Sequence, residues 1–190
     1  MSSKFTAVRN ILNKYFSPLI VKFLEQSGTE SVLVGAGGYR AASPALRRLG
    51  VDVDAWPVAP AGLFVVEERT VYLRSVDAMT VIHEFGHALD LALGGDTYNS
   101  GRDARVRGAY AAARAFVTPY AASGIDEWFA EGVRACVEAN VPASPWPMVT
   151  RERFQRIDPV GFEVISGLIA EAESCAVFAP GEQTFFQFAS

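Results

Sequence analysis

The chain has 190 residues, enough for one domain with its own core. It is 50% hydrophobic and 20% charged, a globular composition that excludes an intrinsically disordered chain. A formal net charge of -4 with scattered basic residues gives no electrostatic footprint for nucleic acid or an anionic membrane.

Residues 4–16 and 18–26 read as two helical pieces, with Pro18 in the first turn of the second. Lys14, Lys22 and Glu25 interrupt the apolar stretches of this region, so it reads as a broken amphipathic helix and not as a signal peptide. With no apolar run of roughly 18 residues, a cytoplasmic location is the expectation, and export by a non-classical route is the alternative. "SVLVG" at 31–35 has a short buried-strand pattern, "AGGYRA" resembles a turn, and Pro44–Leu49 suits one or two helical turns. The Pro-, Ala- and Gly-rich 50–62 reads as a connection. Two β-type runs, Leu63–Val66 and Thr70–Leu73, flank Glu67-Glu68-Arg69 and predict a hairpin.

The next segment predicts a helix from Asp77, its N-cap, to Leu93, with Gly94-Gly95 as the stop and Ile82, Phe85, Leu89 and Leu93 as core stripe. A further helix is predicted over 103–117 and ended by Pro119; Arg102, Arg105 and Arg107 read as its solvated face. Ser123 with Asp126 three residues on resembles a capping box, opening a helix to about Ala139 with Ile125, Phe129, Val133 and Cys136 inward. "ANVPASPWPM" is a loop, 159–174 a last amphipathic helix, and the aromatic tail an added strand or a surface segment. Cys136 and Cys175 read as small core hydrophobes. The fold class expected is α+β: one domain over 1–190, mostly helical, with a small mixed sheet before the helix that carries the chemistry.

That chemistry lies in "VIHEFGHALD", which holds H-E-x-x-H and both histidines of the chain, His83 and His87. On a helix the two imidazoles lie about 40° apart around the axis and can converge on one ion. Glu84 projects about 60° from His87, the placement of a general base for water activated by a metal. A chance match in a chain of this length is on the order of one in a hundred, so a zinc site is the reading. Catalytic zinc wants three protein ligands and an open position, and no histidine remains. A metzincin would have Gly at 90 and His at 93; Asp90 and Leu93 exclude it. Asp90 is carried away by helical rise and suits a hydrogen bond to a neighbour, and Asp96 is a weaker ligand candidate. The stronger candidates are Glu127 and Glu131, at i, i+4 in "IDEWFAEGVRACVEA" on the face opposite the core stripe. One can ligate while the other orients a ligand histidine.

"HEFGHALD" followed by Tyr120, Glu127-Trp128-Phe129-Ala130-Glu131 and the later "RERFQRIDPVGFEVISGLI" resembles the catalytic domain of anthrax lethal factor and its relatives, among them the clostridial Pro-Pro endopeptidases. The resemblance spans roughly 78–170. It implies a zincin-like fold of gluzincin type, zinc held by His83, His87 and Glu127, Glu84 as base, Tyr120 as catalytic phenol, and Glu131 as a second acid supporting the ligands. It also implies that "TVYLRS" supplies the sheet edge for an extended substrate; a plain structural hairpin is the alternative. The function expected is a zinc-dependent endopeptidase acting on protein or peptide substrates as a monomer. A zinc-stabilised peptide-binding module without turnover is the alternative from another class, and a protease delivered into other cells is a variant of the first.

Overall fold

The computed structural model describes residues 3–142 and 148–178. The aromatic tail and part of the Pro-rich loop lie outside them. Helices α1 (Ser3–Tyr15) and α2 (Pro18–Gln26) are separated by Phe16 and Ser17; the Ser17 hydroxyl accepts from the Ile20 amide and caps α2, with Pro18 in the first turn where its missing N–H costs nothing. Strand β1 (Glu30–Leu33) is followed by the short helices α3 (Gly38–Ala42) and α4 (Pro44–Leu49), so the supposed turn at "AGGYRA" is partly helical. Gly38 has φ 75, and a Cβ there would overlap the Asp54 carboxylate.

The hairpin forms β2 (Gly62–Val65) and β3 (Thr70–Leu73), joined by a 3₁₀ turn over Val66–Glu68 with Arg69 left-handed at φ 48. The sheet is mixed and ordered β1-β3-β2: β1 runs parallel to β3, and β2 antiparallel to it. β3 is therefore the central strand, hydrogen-bonded on both sides, and cannot offer "TVYLRS" as a free edge. The parallel partner, separated by some forty residues of sequence, is what took that edge. β2 is the border strand on the side of α5, and Phe64 of β2 and Val71 and Leu73 of β3 join the main core.

Helix α5 (Ala78–Gly94) is the axis of the molecule. Asp77 Oδ1 accepts from the Thr80 amide at 2.9 Å and caps its start; Gly95, at φ 82, follows its end. Every residue from Thr80 to Leu91 is buried. A helix buried on all sides has neighbours on all sides: the sheet, α1, α2 and α7 (Ile125–Cys136). Against α7 the approach is closest at Gly86, where a Cβ would stand 2.9 Å from Ala130 Cα. α8 (Arg151–Ile157) and α9 (Pro159–Phe178) close over α7, and Asp158 between them accepts from Trp128 Nε1 at 3.0 Å and from the Gly161 amide at 3.0 Å. No helix of the described residues is long and apolar enough to cross a membrane.

Several expected boundaries move. α6 covers only Ala104–Ala112, with Asp103 as N-cap, and the chain is extended at Ala113. β-branched Val117 and Thr118 before Pro119 disfavour helix, and Val117 is buried outside any helix. The cap of α7 is the Gly124 backbone; the Ser123 hydroxyl instead donates to the Tyr120 carbonyl at 2.6 Å. α7 ends at Cys136. Cys136 is buried as expected, but Cys175 is exposed, and both are free thiols. The α5–α7 contact makes a direct prediction. Gly86→Val should destabilise by about 1–3 kcal/mol through overpacking and reduce bound metal. Gly108→Ala, where nothing lies within 4 Å of the added Cβ, should be neutral or stabilising. Thermal unfolding with metal analysis reads both.

Candidate metal centre

Because α5 and α7 lie in contact, the face of α7 opposite its apolar stripe is not a solvent face. Glu131 is 4% exposed and Glu127 only partly exposed, both turned toward the α5 histidines. Glu127 Oε2 lies 3.1 Å from His83 Nε2 and 3.3 Å from His87 Nε2, and the two Nε2 atoms are 3.2 Å apart. Nitrogen and oxygen ligands at about 2.0–2.1 Å from a tetrahedral ion are separated by roughly 3.3 Å. The three atoms therefore form one face of such a tetrahedron, and His83, His87 and Glu127 are a group that could hold a metal ion.

The surrounding hydrogen bonds select the same atoms. His83 Nδ1 is 2.8 Å from Glu131 Oε1, and a carboxylate accepts only, so the proton belongs on Nδ1 and the Nε2 lone pair faces His87 and Glu127. Glu131 Oε2 in turn accepts from Thr118 Oγ1 at 2.8 Å and Arg134 Nη2 at 2.8 Å. Glu127 Oε2 is buried between the two imidazoles, with no partner other than their Nε2 atoms among the described residues. Three electron-pair donors packed face to face repel one another unless a proton on an imidazole or a metal ion lies between them, so the donor set fits a divalent ion that displaces that proton.

Burial disfavours the charged imidazolium at His83, but hydrogen bonds to Glu127 and Glu131 outweigh it and raise the pKa to about 10. Burial works against Glu127 and Glu131 as anions too, yet the imidazoles hold Glu127 well below the usual range, and His83 with Arg134 holds Glu131 below it. Glu84 is the exception. It is 7% exposed and its pKa is raised, chiefly by burial, with the two imidazoles partly offsetting the effect. Gly62 of β2 lies directly over it: a Cβ there would overlap Glu84 Cγ and Oε1. Tyr120, 47% exposed on a 3₁₀ turn, donates to Glu127 Oε1 at 2.8 Å with its ring 5.5 Å from that of His83. Burial and the nearby carboxylates raise the phenol pKa, so it remains a donor.

The remaining sequence candidates separate cleanly. Asp90 is fully buried and accepts from the Ser100 amide at 2.7 Å and the Ser100 hydroxyl at 2.5 Å, tying the 99–101 turn to α5. Asp96 is no ligand: its side chain is fully exposed and lies 3.5 Å from Arg69. Thr118, Arg134, Gly62 and Tyr98, whose ring lies 5.9 Å from that of His87, were not expected at the site. Of these only Arg134, one turn after Glu131, carried a readable signal. A groove of about 580 Å³ runs from Trp56 and Val58 past Gly62 to His83, Glu84, Tyr120 and Arg134. No protein-family model and no curated protein matches the chain.

Glu127→Ala should abolish stoichiometric metal binding while Asp96→Ala retains it, and Glu131→Ala should weaken affinity about 10–100-fold; metal content after dialysis and chelator competition read these. A metal must displace the proton that the carboxylates hold on His83. With that pKa raised above its ordinary 6.5, affinity should climb with pH from about 6 to about 8 without levelling near neutrality. A plateau by about pH 7 would contradict it.

Proposed function

We propose that this protein is a zinc-dependent endopeptidase with a zincin-like, gluzincin-type site resembling that of the lethal factor relatives. The observation that carries the reading is the triangle of His83 Nε2, His87 Nε2 and Glu127 Oε2 with the elevated carboxyl of Glu84 beside it in an open groove. Two imidazoles and one carboxylate are a donor set that suits zinc, and three ligands leave one position for chemistry. When bound, zinc supplies Lewis acidity to a carbonyl and to water.

The chain's own groups do the rest. Glu84 is held under β2 in a dry setting that raises its pKa toward the working range of a general base. It takes the proton of the attacking water and delivers it to the leaving amine. The Tyr120 phenol, partly exposed at the groove wall, donates to the oxyanion that develops at the scissile carbonyl. Glu131 orients His83 through Nδ1. Substrate lies extended along β2, the border strand over Glu84, in place of the central β3; its main chain pairs with that edge.

Glu84→Gln should keep stoichiometric zinc and lose all detectable cleavage of a proteome-derived peptide library. Tyr120→Phe should keep zinc and lower kcat by about 10²–10³. Peptide binding by the parent without any turnover would replace the endopeptidase with a binding module.

A further inference from the structure

The end of the groove beyond Glu131 holds a feature that proton transfer and metal binding leave unused. Arg134 is 2% exposed, yet it belongs to the groove lining with Thr118 and Glu131. Nη2 donates to Glu131 Oε2 at 2.8 Å, while Nε is buried without a partner among the described residues. Buried guanidinium donors are almost always paired, because stripping water from an N–H without replacing its acceptor is costly. An unpaired one in the lining of a substrate groove is matched by an acceptor on what enters the groove.

Position and charge narrow that acceptor. Arg134 follows Glu127 by seven residues on α7, roughly 10 Å along the helix axis, and its side chain folds back onto Glu131. The guanidinium thus lies behind Glu131, on the Nδ1 side of His83. Arg134 is already neutralised by Glu131, and Glu84 and Glu127 add two further carboxyls to the same groove region, so a third anion is disfavoured. An apolar side chain leaves Nε unpaired. Glu131 Oε1 accepts only from His83 among the described residues and has a lone pair left. A neutral group with one acceptor and one donor meets both needs.

We propose that Arg134 and Glu131 line a specificity pocket for a carboxamide side chain, Asn or Gln, next to the scissile bond. The carboxamide oxygen accepts from Arg134 Nε–H, and its N–H donates to Glu131 Oε1. The proposal rests on the peptidase reading, and its test separates the two.

Zinc-loaded Glu84→Gln protein, as the full chain, is used to capture a random hexapeptide library. Bound peptides should be enriched about tenfold or more in Asn and Gln over Leu, Asp and Glu at one position. In the Glu84→Gln, Arg134→Lys double variant at equal zinc content, charge is kept, Nε–H is lost, and the enrichment should collapse. Arg134→Met is the second variant should the lysine form lose zinc. Replacing the selected Gln by Glu or norleucine in a synthetic peptide should weaken capture at least about tenfold. Enrichment of acidic or apolar residues instead, enrichment indifferent to Arg134, or no capture at all overturns the pocket. Parent protein that turns over no peptide, while its Glu84→Gln form selects Gln through Arg134, overturns the endopeptidase and keeps the pocket. Turnover without that selection does the reverse.

Discussion

The close crossing of α5 and α7 at Gly86 and Ala130 is the contact on which the site depends. A hydrogen at position 86 lets the two backbones approach until a Cβ would meet Ala130 Cα at 2.9 Å. At that separation Glu127, a turn before Ala130 on α7, reaches the histidine pair, and Glu131, the next residue after it, reaches the far side of His83. Both helices are also enclosed on their other sides, α5 by the sheet and α1, and α7 by α8 and α9. The core therefore holds the two lines of ligands in register, and local loop geometry plays a minor part.

That arrangement places His83, His87, Glu84, Glu131 and Arg134 in the interior of a small protein, all less than 9% exposed. Desolvating so many ionisable groups opposes folding. Each carboxylate except Glu84 is compensated: Glu127 by the imidazoles, Glu131 by His83, Thr118 and Arg134. Of the carboxyls that meet the two imidazoles, Glu84 keeps a raised pKa with burial as its main cause, as Asp90 does beside Ser100. A buried, under-compensated carboxyl beside compensated neighbours is consistent with the proton-transfer role proposed for Glu84.

Periodicity made most elements legible. Pro18 in the first turn of α2, the Asp77 cap, the Gly94-Gly95 stop and the β2–β3 hairpin follow from rules that act within a few residues. The misreadings have non-local causes. β3 became central because β1, forty residues earlier, pairs with it in parallel. α6 stops at Ala112 because Val117 and Thr118 are drawn into the interior, where Thr118 serves Glu131. The capping box at Ser123 fails for a local reason instead: its hydroxyl is bound to the Tyr120 carbonyl three residues back, and Gly124 caps α7.

By itself the sequence determined that two imidazoles and a glutamate share one helix face, and that with no third histidine a carboxylate has to complete any metal site. Those statements need only helical geometry and a residue count. Sequence reasoning set Asp90 and Asp96 behind Glu127 and Glu131, and only the family resemblance preferred Glu127 of the pair, because helix propensity and spacing say nothing about which element lies across the interface. Tertiary packing decided that choice. It spent Asp90 on Ser100, left Asp96 in solvent, and brought Glu127 Oε2 to within 3.3 Å of both imidazoles. Burial then set the charges, for a carboxylate's surroundings and not its spacing determine whether it ligates, orients or takes a proton.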